Sequence, residues 1–143
     1  MQIERRIETD REAARVFAYL SDFETSTEWD PGTVRTVRES GDGGVGTRYR
    51  NTSRFLGRTV EVTYTVVALD PSGHIELRGE NSSLVAHDTI TVTPDPRGGS
   101  TVVYRAQFDF HRGVRLLAPI LAIALWQLGN RAARDMREAL ARL

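Results

Sequence analysis

Lysine and cysteine are both missing from this 143-residue chain, so all 19 of its basic residues are arginine. Without lysine there is no Schiff-base nucleophile, and no lysine to grip phosphate in an ordinary nucleotide loop. Without cysteine there is no disulfide, no thiolate metal site and no thiol nucleophile. Histidine is scarce: His74, His87 and His111 are scattered and fit no zinc-binding spacing, so no metal is implied. The 19 acidic residues balance the 19 basic ones with no block of either sign, which argues against a nucleic-acid surface. The apolar run 116–128 has 13 residues and includes Gln127, whereas a bilayer span needs about 20, so no stable membrane insertion is expected. No apolar signal segment stands at the N-terminus, and the expected location is the cytoplasm. Hydrophobic content of 40% and charged content of 27% are ordinary for a globular protein, and one domain over 1–143 is expected.

The most strongly patterned stretch is the last third-of-a-hundred residues, 111–143. Leu117, Leu121, Ala124, Leu125, Leu128, Ala132, Met136, Ala139, Leu140 and Leu143 recur at the spacing of one helical face. Pro119 falls in the first turn, where its missing N–H costs little. Charged residues from Arg131 to Arg142 supply a solvated opposite face. At 1.5 Å per residue this helix reaches roughly 40 Å, and it needs a sheet to lie across.

The preceding residues supply that sheet. Alternation predicts strands over 2–8, 33–39, 46–55, 60–69, 74–80, 84–93 and 101–111. Turn chemistry separates them at 40–44, at Gly57, at 70–73, at 80–83 and at 95–99. Two short helices follow the first strand. Thr9 or Asp10 offers an N-cap for one of them, with Glu12 at capping-box spacing, and Ala13, Val16, Phe17 and Leu20 form its apolar face. The second covers about 23–29 and stops at Asp30-Pro31-Gly32. The glycine-rich stretch 41–46 leads into Thr47-Arg48 and a strand, which fits a tight turn rather than a phosphate loop.

The fold class is therefore α+β: a curved seven-stranded antiparallel sheet wrapped on a long C-terminal helix, with two short helices after the first strand. This order resembles the helix-grip fold of the START-like (SRPBCC) superfamily. The segments Val16-Phe17-Ala18-Tyr19-Leu20-Ser21-Asp22-Phe23 and Glu28-Trp29-Asp30-Pro31-Gly32 look most like its bacterial polyketide cyclase/dehydrase-like branch. The 41–47 loop is similar to the glycine-rich loop of birch-pollen-type allergens. The resemblance implies a cavity for lipid, polyketide or aromatic molecules and no cofactor.

Strand phase nominates the residues of such a cavity. Tyr49, Asn51, Ser53, Tyr64, Leu77, Asp88, Tyr104 and Phe108 point to the inner face, and Leu121 and Leu125 answer from the helix. Small inner residues Gly79, Ala86 and Ala106 leave space. Trp29 is placed to flank the mouth or to pack between short helix and sheet, and Trp126 is placed near the cavity. Asp88 stands among Ala86, Ile90 and Val92. It is either a structural carboxylate satisfied by a hydroxyl or arginine, or a general base helped by Tyr49 or Tyr104. Arg5 is an oddity on the apolar face of the first strand. By phase all three histidines face outward. Three functions stand open: a binding module for a small hydrophobic molecule, a cyclase/aromatase- or dehydratase-type enzyme, and a protein-interaction module using an apolar helix end.

Overall fold

The computed structural model describes residues 1–143. Its strands are β1 (Gln2–Thr9), β2 (Thr33–Ser40), β3 (Arg48–Phe55), β4 (Arg58–Asp70), β5 (His74–Glu80), β6 (Leu84–Pro94) and β7 (Ser100–Phe110). Between β1 and β2 lie α1 (Ala13–Ser21), a 3₁₀ turn (Phe23–Thr25) and α2 (Ser26–Trp29). After β7 come α3 (Arg112–Arg115) and the long α4 (Ala118–Ala141). The strands form one antiparallel sheet in the order β1-β7-β6-β5-β4-β3-β2. Helices cover its inner face, as the sequence pattern predicts.

Alternation accounts for the burial. Ile75 and Leu77 of β5, Ile90 and Val92 of β6, and Val102 and Ala106 of β7 are buried, and their sequence neighbours are less so. One bulge, between Val66 and Ala68, resets the phase of β4. Val67 is left exposed, and Leu69 turns in to pack on the core. The turn at 70–73 depends on Gly73, whose φ of +126° and approach to the Val92 carbonyl leave no room for a Cβ. The glycine-rich loop closes on itself: the Gly43 N–H donates to the Thr47 hydroxyl at 2.8 Å, and Thr47 is buried against Gly41.

Two details differ from the sequence reading. No capping box forms at α1. Strand β1 continues through Thr9, which pairs with Ser100, and its hydroxyl accepts from the Arg11 N–H at 3.2 Å. The helix starts later, after Glu12, with no side-chain cap. Arg11 instead crosses to the end of α4 and donates to the Ala141 carbonyl at 2.6 Å, a cation at a helix C-terminus. The C-terminal helix is also divided, with α3 ending at Arg115 and α4 beginning at Ala118. Pro119 sits in the first turn of α4 as expected. It has no N–H to offer the Arg115 carbonyl four residues back, so the two helices do not join.

The core has two parts. Ile7, Val16, Leu20, Trp29, Met136 and Leu140 belong to a large cluster where α1, α2 and the second half of α4 meet the sheet. Ile3, Phe110, Leu121 and Leu125 form a small one under the first half of α4. Arg5 is no free charge on β1. Its guanidinium donates to the Asn130 side chain at 3.0 Å and to the Trp126 carbonyl at 3.1 Å, tying β1 to α4 where Gly129 lets the two approach. No helix is long and apolar enough to cross a membrane.

Candidate functional site

Beside the small cluster the sheet and α4 separate and leave a cavity of about 440 Å³. Its size is that of a small-molecule site, and 18 of its 27 lining residues are hydrophobic, so an apolar body fits it. The open end lies where the β3–β4 turn, the 81–83 turn and the start of α4 converge. Leu56 and Leu117 stand on this rim with about half of their surface exposed, 52% and 49%. Leu56 occupies left-handed backbone (φ +52°), an uncommon conformation for leucine, followed by Gly57 at φ +76°. Arg54 and Arg58 are at the same end. Arg54 is engaged there with the Gly57 carbonyl at 3.1 Å and the Thr59 hydroxyl at 3.3 Å.

The inner end is aromatic and acidic. Trp29, Tyr64 and Tyr104 line it, with the Trp29 and Tyr104 rings edge to face at 5.7 Å. The Tyr64 ring fills the space above Gly79, where a Cβ would come within 2.6 Å of it. Asp30 lines the cavity from the α2–β2 loop. Its carboxylate accepts from the Thr33 hydroxyl at 2.8 Å and from the Gly32 N–H at 3.2 Å. Thr33 in turn accepts from the Asn51 amide, which also donates to Thr36 and accepts from Ser53 at 2.6 Å. A chain of polar side chains thus fixes Asp30, Asn51 and Ser53 along one wall.

Asp88 is 3% exposed and stands just behind the Tyr104 wall. One carboxylate oxygen accepts from the Tyr104 hydroxyl at 2.8 Å, and the other has no partner. Burial pushes its pKa up to about 7; the Tyr104 hydrogen bond opposes the rise and the charge of Asp30 adds to it. Burial likewise raises Asp30, with Asp135 adding to the effect. Burial and the neighbouring Asp88 charge hold the Tyr64 and Tyr104 hydroxyls well above the usual tyrosine range.

Of the nominated residues, Trp29, Asn51, Ser53, Tyr64, Tyr104, Phe108, Leu121 and Leu125 line the cavity. Tyr49, Leu77 and Asp88 do not. Tyr49 packs on Phe23 at 5.8 Å, and Leu77 lies in the large cluster, because inner-face residues of this sheet divide between a packed end and an open end. Tyr49 therefore stands apart from the Asp88–Tyr104 pair. Trp29 is 1% exposed, so it forms part of the inner wall and flanks no mouth; its indole N–H donates to Thr25 at 3.2 Å. Trp126 is 62% exposed and does not line the cavity; it borders a separate groove beside Met1 and Gln2. Gly79 leaves no free space, because Tyr64 occupies it, and Ala86 borders the cavity no more than Gly79 does. Asp88 has its hydroxyl partner but no arginine, and it is only half satisfied.

Asp30 was missed by pattern, because Asp-Pro-Gly reads as turn chemistry and nothing local shows that the side chain turns inward. Leu56 sits in a turn and gives no local signal either, while helical spacing puts Leu117 on the apolar face without showing that it borders a cavity. Leu116, Ile120, Ile123 and Trp126, just before and within the first half of α4, are exposed apolar residues, the residue type that an interaction module would use. No group of three or more His, Asp or Glu side chains is placed to hold a metal ion.

The whole chain, residues 1–143, matches the family model described as polyketide cyclase / dehydrase and lipid transport. No curated protein matches it in sequence. Among solved structures it is similar to the Zhui aromatase/cyclase from Streptomyces sp. R1128, with a TM-score of 0.84 at 13% identity over 99% of this chain and 94% of that one. It is also similar to a START superfamily protein from Mycobacterium smegmatis, with a TM-score of 0.81 at 12% identity over 99% of this chain and 97% of that one. At such identities the likeness shows a shared fold.

Proposed function

Because the chain belongs to the polyketide cyclase/dehydrase and lipid transport family, we propose that it binds one small, mostly apolar molecule of lipid, polyketide or aromatic type between sheet and α4. The observation that carries this reading is the cavity of about 440 Å³ with its mainly hydrophobic wall. The Asn51–Ser53–Thr33–Asp30 chain supplies a few oriented polar contacts within an apolar site, the usual composition of a ligand pocket. Native mass spectrometry of freshly purified protein should reveal a bound small molecule. In a Trp126→Phe background, Trp29 is the sole indole, and its emission should change saturably on titration with anthracene-9-methanol. A mass spectrum free of adducts together with a linear, non-saturating titration would rule the reading out.

One contact favours an alternative, a cyclase/aromatase- or dehydratase-type enzyme using the same cavity. Tyr104 is on the wall and donates to Asp88 behind it, so Asp88 would act through the tyrosine as an acid–base group with a pKa near neutrality. In that case Tyr104→Phe would retain binding of a polyketide-like substrate and lose its turnover.

A further inference from the structure

The inner end of the cavity holds two carboxyl groups that no cation of the protein compensates. Asp30 is on the wall, Asp88 is behind Tyr104, and neither makes an ion pair; the salt bridges of the chain lie elsewhere. The arginines of the cavity, Arg54 and Arg58, belong to its rim. Asp135 of α4 adds a third nearby carboxylate, paired only with its neighbour Arg134 at 3.3 Å. One oxygen of Asp88 has no donor at all. Around these acids stand three electron-rich rings, Trp29, Tyr64 and Tyr104, and the Tyr64 hydroxyl has no hydrogen-bond partner within the protein. A buried carboxylate without a cation is costly, and aromatic faces attract cations in a desolvated site. A neutral or anionic ligand would leave that charge unmet.

We propose that this inner end is a subsite for a cationic nitrogen, so that the ligand is an apolar molecule carrying a protonated amine or quaternary ammonium group. The proposal rests on the binding reading above. The ammonium lies against Asp30 and the rings of Trp29, Tyr64 and Tyr104, and Asp88 supports it through the field behind Tyr104. The apolar body extends past Leu125 and Phe108 toward the rim. Because Asp88 releases its proton near pH 7, amine affinity rises with pH through that region while the amine itself remains charged. The groups that face Asp88 are Tyr104, Tyr64 and Asp30; Asp30 faces Thr33, the Gly32 N–H, the Tyr64 and Tyr104 hydroxyls and, at longer range, Asp135.

The test uses three probes with one body: 9-aminomethylanthracene, anthracene-9-methanol and anthracene-9-carboxylate, titrated calorimetrically into the full chain. The amine should bind about tenfold or more tightly than the alcohol, and the carboxylate should bind most weakly. Amine affinity should rise several-fold from pH 5.5 to pH 8, and alcohol affinity should stay flat. Asp30→Asn should reduce the preference for the amine over the alcohol from about tenfold to near one, whatever happens to the alcohol's own affinity, with a thermal melt confirming that the variant folds. If it does not fold, the wild-type ranking and the pH dependence decide. An amine that binds no better than the alcohol, or a carboxylate that binds best, overturns the cationic subsite and leaves the binding reading standing. No binding of any of the three overturns both.

Discussion

The two halves of α4 lie on the same sheet and do different work. Beyond Ala132, the last residue of the helix to border the cavity, α4 is closely packed: Met136, Ala139 and Leu140 are buried in one cluster with residues of the sheet, α1 and α2. Before Gly129 only Leu121 and Leu125 are buried, while Ile120, Ile123 and Trp126 are exposed and the inner surface borders a cavity. The difference follows from what else reaches the inner face. The α1–α2 segment covers the sheet at one end, and nothing replaces it at the other. Stability is concentrated at the covered end and ligand space at the uncovered one, where binding groups are freed from the demand for close packing.

The largest effect should come from removing the covered half. A chain lacking residues 128–143 loses Ala132, Met136, Ala139 and Leu140 together. Each large-to-small core change costs ~2–5 kcal/mol, against a domain stability of about 5–15 kcal/mol, so no cooperative thermal melt is expected. A melt near the full-length temperature would falsify the division of labour.

Single truncations sharpen it. Leu140→Ala should cost ~2–5 kcal/mol in denaturant unfolding. Leu121→Ala, beside space that is already open, should cost closer to the ~1.5–3 kcal/mol of transfer alone. Equal losses would mean that the cavity end is packed as tightly as the core.

Asp88 tests the boundary between the two ends. Its folded-state pKa of about 7 lies above its unfolded value, so the folded protein holds this proton between about pH 4 and pH 7. Its contribution to stability therefore falls as pH rises through that window. Asp88→Asn removes an unpaired buried carboxylate and should raise stability by roughly 1–3 kcal/mol at pH 8.5, with little gain at pH 4. Melts of both proteins across this range check the sign; a variant that is destabilised more at high pH than at low would contradict it.

The smallest effect belongs to the rim. Leu56 holds left-handed backbone before Gly57, a position that asparagine accepts more readily. Leu56→Asn should stabilise the chain by about 1 kcal/mol and weaken binding of anthracene-9-methanol. Unchanged binding would place Leu56 outside the path of the ligand.

Much of this was legible in the residues. Alternation placed Asn51, Ser53, Tyr64, Tyr104 and Phe108 on the inner face, and helical spacing placed Leu121 and Leu125 opposite them. Periodicity reports which face of an element turns inward, because that depends only on local geometry. It is silent about position along the face. Tyr49 and Leu77 share the inward phase and end in the packed core, while Tyr64 and Tyr104 border space.

What the sequence alone determined is the class of fold: seven strands in antiparallel succession, a C-terminal helix with an apolar stripe, and a chain without lysine or cysteine. Those features depend on neighbours within a few positions, where hydrophobic patterning and turn residues decide. Only the tertiary structure decided that Trp29 is an inner wall rather than a gatepost, and that Asp30 leaves its turn to face a cavity. It alone decided, too, that Asp88 keeps one oxygen bare and that Arg5 and Arg11 both bind α4. Each of these depends on contacts between residues far apart in the chain, and on how completely the short helices cover the sheet, which no local pattern encodes.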